Sequence, residues 1–251
     1  MTYIILRIFK NIIKNFGKNK ILKYIVNKNF IHVNHEKIIN KNNIFIITSC
    51  LNPNDLTEKI INSYTNIENR YQETIETIKS IKNNFVDPYI ILLENSHVPT
   101  QYFDSLVTQV DELIDYSKNS YILKSRQHNN KGVPQFAMIY KFIFENKNKY
   151  LFDTLHFISA RYVLHSNISN NYIEYGSYLL FYKNSKNVST RYYFFKKCTL
   201  DRLKIAYKYT LLLAILGNSV EDVIFLFTPK NNYLNKIDLS GKVAGIQFIH
   251  E

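Results

Sequence analysis

From residue 44 onward the chain alternates between short, continuous apolar runs and longer stretches in which apolar residues recur every three or four positions. Residues 44–47, 89–93 and 155–158 are of the first kind. They pass into Thr48-Ser49, Glu94-Asn95-Ser96 and Ser159-Ala160-Arg161-Tyr162, respectively. Runs this short and this apolar predict strands buried on both faces that deliver small polar residues at their carboxyl ends. Ile67, Tyr71, Ile75, Ile78 and Ile81 have helical spacing. Pro99 fits the first turn of a helix running to about Leu113, and residues 134–144 and 200–216 read as two more helices. Ile114 and its neighbours predict a short strand, residues 118–131 a polar loop, and residues 173–182 and 188–195 two further strands. Ser219 is the expected N-cap of a short late helix, with Asp222 three positions on as its capping partner. Strands alternating with helices of this length form parallel βαβ units. The expected fold class is therefore α/β, one domain with a mostly parallel central sheet. Ligands of such sheets bind beyond the carboxyl ends of the strands, which directs attention to Thr48, Ser49, Glu94 and Ser96.

The first residues follow a different pattern. Ile4, Ile5, Ile8, Phe9, Ile12, Ile13 and Phe16 fall at helical spacing with Arg7, Lys10, Lys14 and Lys18 between them. This predicts a basic amphipathic helix, which either lies on an anionic membrane, packs on the domain or forms a partly ordered extension. Charge separates the two parts. The 251 residues hold 32 Lys and Arg against 20 Asp and Glu, a formal charge of +12, and residues 1–43 alone hold nine basic groups and one acid, Glu36. The remaining residues carry only +4, so residues 1–43 read as an extension and residues 44–251 as the domain. Nucleic acid is not the expected partner, because the body lacks the charge and its 37 Phe and Tyr fall at core periodicity. A hydrophobic share of 46% excludes disorder for most of the chain. Cys50 and Cys198 supply neither a disulfide framework nor zinc-ligand spacing, in keeping with a reducing, cytoplasmic compartment. The N-terminal apolar run is interrupted by cations before it makes a signal-peptide core. Residues 210–216 also fall short of the roughly 20 apolar residues that span a bilayer.

The order of motifs carries a resemblance. Thr48-Ser49 ends the first strand; Arg70, Gln72 and Thr74 open the first helix; Leu93-Glu94-Asn95-Ser96 ends the second strand. Lys131-Gly132 precedes a helix, Ile158-Ser159-Ala160-Arg161-Tyr162 ends a later strand, and Ser189-Thr190-Arg191 lies in another. Val220-Glu221 starts a late helix, and Gly245 and Phe248-Ile249-His250-Glu251 close the chain. Over residues 44–251 this order resembles a group of GT-A-fold glycosyltransferases found in large DNA viruses and in bacterial surface-polysaccharide clusters. In that group a strand end of the form Ile-Ser-Gly-Arg-Tyr stands near where other GT-A enzymes carry Asp-x-Asp. Ala160 stands here for the usual Gly, Pro134-Gln135 for a Gly-Glu, and Asn95 for a Gly. These departures bear on donor preference, or mark an inactive relative that binds a nucleotide sugar without turning it over.

The resemblance implies transfer of a sugar from a UDP-, GDP- or dTDP-linked donor to a glycan or lipid-linked acceptor, in polysaccharide synthesis at or near a membrane. Such a donor leaves as a diphosphate, whose charge must be met by cations or a metal as the glycosidic bond breaks. The sequence holds no Asp-x-Asp, which leaves use of manganese or magnesium open and assigns no metal ligands. Arg70, Lys131 and Arg161 are the candidate cations; guanidinium suits phosphate through its forked donors. Thr48 and Ser49 would face base or ribose, with Glu94, Ser96, Gly132 and Ser159 completing the donor site. Glu221 and Asp222, at a helix start, are the candidate bases for the acceptor hydroxyl. Acids there also complement the helix dipole. Tyr162 either stacks on a ring or fills core, and His250 is similar to a late histidine that binds metal in some GT-A enzymes.

Overall fold

A computed structural model describes residues 37–55, 66–180, 188–227, 231–234, 237–243 and 247–250. The amphipathic pattern of residues 4–18, together with Gly245 and Glu251, lies outside them. Ten strands and six α-helices follow in chain order among the described residues: β1 (Ile39–Ser49), α1 (Ile67–Asn84), β2 (Tyr89–Glu94), α2 (Thr100–Val107), β3 (Glu112–Asp115), α3 (Ser120–Arg126), α4 (Gly132–Glu145), β4 (Tyr150–Ser159), β5 (Tyr162–Leu164), β6 (Gly176–Leu180), β7 (Tyr192–Lys196), α5 (Leu200–Ile215), α6 (Val220–Val223), β8 (Asn231–Leu234), β9 (Leu239–Val243) and β10 (Gln247–His250).

The apolar runs occupy the middle of a seven-stranded sheet of order β3-β2-β1-β4-β7-β6-β8. β3, β2, β1 and β4 are mutually parallel, and β7 runs antiparallel to β4 and to β6. β8 is parallel to β6, so the sheet is mostly parallel. Strand side chains alternate between faces, and here both faces are covered. Ile44, Ile46, Ile91, Leu93, Leu155 and Phe157 enter a core shared with α4 and α5, while Phe45, Ile47, Ile90, Leu92 and Ile158 enter a second core beneath α1. This double burial is why the strands read as unbroken apolar runs. Beside the sheet, β5, β9 and β10 form a small antiparallel sheet of order β10-β9-β5.

Several elements depart from the pattern-based expectations. β1 begins at Ile39, where the backbone amide donates to the Lys149 carbonyl at 2.8 Å. α2 ends at Val107 because residues 108–111 turn the chain, and Leu113 and Ile114 then pair with Leu92 and Leu93 as an edge strand. α3 lies inside the stretch read as a polar loop. Asn119 caps it by accepting from the Tyr121 and Ile122 amides at 3.1 and 3.3 Å, and Ser125 and Arg126 share its buried face with Tyr121 and Ile122. α5 closes just before Gly217, whose φ of 93° is a backbone conformation that favours glycine. At α6 the side chain meeting Ser219 is Glu221, while Asp222 is buried.

Candidate active site

The carboxyl ends of β1, β2 and β4 lie side by side, because Ser49 pairs with Glu94 and Thr48 with Ser159. β7 enters the sheet antiparallel to β4, with Ile158 opposite Tyr192, so the residues that precede β7 reach the same edge. One margin of the sheet thus gathers Thr48, Ser49, Glu94, Ser96, Ser159, Arg161, Thr190 and Arg191.

Two of these residues are occupied in holding the loops. Glu94 is 1% exposed, and its Oε1 accepts from the Ser96 amide at 2.8 Å, the Leu51 amide at 3.2 Å and the Ser96 hydroxyl. Burial pushes its pKa up, against the opposing hydrogen bonds of the Ser49 and Ser96 hydroxyls and the Ser96 and Leu51 amides. The Ser96 hydroxyl in turn accepts from the Asn52 amide at 2.9 Å. Arg126, from α3, fastens the same loops. It forms a two-pronged ion pair with Asp55 and donates to the Asn95 carbonyl at 2.9 Å. Asp55 also accepts from the His97 amide at 2.6 Å. Next to this group, a cavity of about 160 Å³ is lined by Ser96, His97, Thr100, Phe103, Asp115 and Ser117, among others.

The other cations gather around Tyr162, which is buried at the start of β5. The guanidinium carbons of Arg161 and Arg191 each stand 6.0 Å from the centre of its ring. Their backbones are joined as well, since the Ser159 amide donates to the Arg191 carbonyl at 3.1 Å and the Arg161 amide to the Ser159 carbonyl at 2.7 Å. The start of α1 is tied to the same strand end: the Thr74 hydroxyl lies 2.8 Å from the Arg70 carbonyl and 3.4 Å from the Ala160 carbonyl. Burial, and then the neighbouring charge of Arg161, pull the Arg70 pKa down, with Glu73 acting the other way. Gly241 of β9 packs directly against this group, where a Cβ would fall 2.4 Å from the Arg161 carbonyl oxygen and 2.4 Å from the Tyr162 ring.

The remaining candidates line the neighbouring rim. Gln135 donates to the Thr48 hydroxyl at 3.1 Å, joining α4 to the end of β1. Asn130 donates to the Asn218 carbonyl at 2.8 Å and accepts from the Gly132 amide at 3.0 Å, which draws the start of α4 to the start of α6. Gly132 makes this approach feasible, because a Cβ there would lie 2.8 Å from both Val220 methyl groups. Lys131 beside it is exposed. Glu221 accepts from the Ser219 hydroxyl and, at 3.2 Å, from the hydroxyl of Thr190, the residue before Arg191, whereas Asp222 is only 4% exposed. Arg191 and Arg126 were not among the sequence candidates for the site. Arg191 stood in a recognisable motif, but its approach to Arg161 depends on the antiparallel return of β7.

The divalent cation that a GT-A architecture implies can be tested against these donors. At the end of β4 the chain offers Ser159, Ala160 and Arg161, and among the described residues no group of three or more His, Cys, Asp or Glu side chains could hold a metal ion. The residues present at this strand end do not fit a cation. The β10 backbone places His250 opposite Ser240.

No protein-family model matches the chain, and no curated protein matches it in sequence. Among solved structures, an active-site mutant of LgtC is similar with a TM-score of 0.50 at 8% identity, over 76% of this chain and 72% of that one. The fold is of the GT-A type. Two further GT-A matches are the galactosyltransferase LgtC with donor and acceptor sugar analogues and the mannosyltransferase Ktr4p from S. cerevisiae. The first has a TM-score of 0.49 at 7% identity over 76% and 73% of the two chains, the second 0.47 at 7% identity over 88% and 77%. In GT-A terms the margin described above is the carboxyl edge of the parallel half-sheet. No helix among the described residues is long and apolar enough to cross a membrane.

Proposed function

We propose that the protein is a glycosyltransferase that moves a sugar from a nucleotide-sugar donor to a glycan or lipid-linked acceptor. The observation that carries this reading is the convergence, on one sheet edge of a GT-A fold, of strand-end polar groups, paired arginines and a carboxylate at a helix start. In this reading Thr48, Ser49 and Ser159 line the donor, while Glu94 and Ser96 act by fixing the loops that the nucleotide meets. Arg70 and Arg161 face the diphosphate, with Lys131 and Gly132 on the rim. In the transfer, the bond from the anomeric carbon to the diphosphate oxygen breaks and its electron pair stays with that oxygen. The acceptor oxygen bonds to the anomeric carbon, and the acceptor proton passes to a carboxylate. Glu221 is the better placed base, because it is partly exposed beside Thr190 whereas Asp222 is buried.

Calorimetric titration with UDP-, GDP- and dTDP-sugars, with and without manganese, tests the reading. Binding of at least one donor with slow hydrolysis or transfer is expected, and no binding of any of them would end it. Glu221→Gln should keep binding and lose at least about a hundredfold in turnover. A wild type that binds donor with no turnover for this substitution to remove would instead support an inactive relative.

The basic segment of residues 1–43 supports contact with an anionic membrane, where lipid-linked acceptors reside. The full chain should sediment with phosphatidylserine vesicles and release as salt rises. Lys10→Gln, Lys14→Gln and Lys18→Gln together should abolish that binding.

A further inference from the structure

We propose that the leaving diphosphate is held by the two guanidiniums set against Tyr162, those of Arg161 and Arg191, in place of a bridging divalent cation. The inference rests on the nucleotide-sugar reading above and adds Arg191 and the manner of charge neutralisation to it.

Placement is the first argument. Arg161 follows β4 and Arg191 precedes its antiparallel neighbour β7; the two are joined through Ser159 and stand at equal distance from one buried ring. The Thr74 hydroxyl, which reaches both the Arg70 and the Ala160 carbonyls, ties the start of α1 to this strand end. Two of the six arginines in the chain therefore meet at one strand end of the fold. The charge of Arg161 works against that of Arg70 nearby, with Glu73 acting the other way.

Chemistry is the second argument. A diphosphate carries its oxygens in two tetrahedral groups, which forked donors from several directions match better than a single ammonium. Charge grows on the bridging oxygen as the sugar departs, and fixed cations stabilise that charge without reorganising. Among the described residues, no group of three or more metal-ligating side chains gathers at the strand end that carries Arg161. Gly241 fixes the cluster, because any side chain there would collide with the Arg161 carbonyl.

Titration of the full chain with UDP, GDP, dTDP and inorganic pyrophosphate, in EDTA and again in manganese, tests the inference. The wild type should bind a nucleoside diphosphate and pyrophosphate in EDTA, with less than about a threefold gain from manganese. Arg191→Ala should weaken pyrophosphate at least about tenfold, and Arg191→Lys should restore part of that loss. Thermal melts of each variant establish that it is folded, and Arg161→Ala gives the same reading if Arg191→Ala does not fold. Pyrophosphate affinity unmoved by these substitutions, or binding that requires manganese, would overturn the inference while leaving the nucleotide-sugar reading intact. Failure of the wild type to bind any nucleotide or nucleotide sugar under either condition would remove both.

Discussion

Two groups of arginine chemistry sit on the same sheet edge and are built in opposite ways. Arg126 is enclosed by its own protein: Asp55 takes both prongs, the Asn95 carbonyl takes another bond, and the side chain is 3% exposed. Around Tyr162, by contrast, two guanidiniums are set against one aromatic ring. The first arrangement uses charge to tie the loops after β1 and β2 to α3. The second sets positive charge at the strand end proposed above to meet the diphosphate. In the proposed reading the same side chain acts as a fastener or as a receptor depending on what the fold sets against it, and this contrast can be tested from both sides.

The largest effect should come from Arg126→Ala, which leaves the Asp55 carboxylate in a largely buried place without its cation. Breaking such a pair costs about 3–5 kcal/mol, readable as a lower urea midpoint. A change below about 1 kcal/mol would mean that Arg126 is not a fastener. Arg161→Ala should behave in reverse. Its melting temperature should hold or rise as repulsion is relieved, while kcat/KM falls by roughly tenfold to a hundredfold, the worth of a charge-assisted contact. Loss of stability without loss of affinity would erase the distinction. Gly241→Ala sharpens it further. The added methyl group must displace the Arg161 backbone or the Tyr162 ring, at a cost of about 1–3 kcal/mol, with nucleotide affinity falling alongside.

A smaller effect comes from a buried ionisable group that belongs to neither arrangement. His156 lies inside the sheet, stacked on Phe45, with Nδ1 2.9 Å from the Tyr192 hydroxyl and Nε2 3.2 Å from Asn43 Oδ1. Burial, and then Lys196, hold its pKa well below the usual 6.5. The unfolded chain therefore takes up a proton that the folded one refuses. Stability should be unaffected by this group above about pH 6.5 and fall by up to about 1.4 kcal/mol per unit below it. His156→Gln should flatten that slope in urea titrations at pH 5 to 7. The smallest effect concerns Cys50, whose thiol is pushed up to about 12 by burial and then by Glu94, with Arg126 and Arg70 pulling it down. Ellman's reagent at pH 8 should leave Cys50 unmodified in the folded protein, and rapid labelling would show that the arginines outweigh burial there.

The parallel half of this sheet was legible in the sequence, since strands covered on both faces leave continuous apolar runs and their polar ends share one edge. The ends of β1, β2 and β4 and the helices α1, α4 and α5 followed from that pattern. α3 did not, because half of its buried face is Ser125 and Arg126, whose polarity reads as loop until Asp55 is known to meet the arginine. The limit of α2 was also hidden, since Leu113 continues a helical spacing and yet pairs with Leu92 at the sheet edge. Within the site, Arg161 could be singled out from its strand end, whereas Arg191 could not be placed beside it. That neighbourhood depends on the direction of β7, which local pattern does not encode. Glu94 shows the converse: its position at a strand end was evident, but its turn inward to Leu51 and Ser96 is a tertiary choice.

The packing of Gly241 on Arg161 and Tyr162 also has a kinetic meaning. β5 finds its neighbour in β9, nearly eighty residues later, with Tyr162 opposite Gly241. The register of the Arg161 loop is therefore set by one of the most distant pairings in the domain. Contacts of long sequence separation form slowly, because loop closure must precede any gain. The nucleotide binding proposed above should accordingly appear in refolding only once β9 has docked on β5, and not with the local helices, so that ligand binding times that docking.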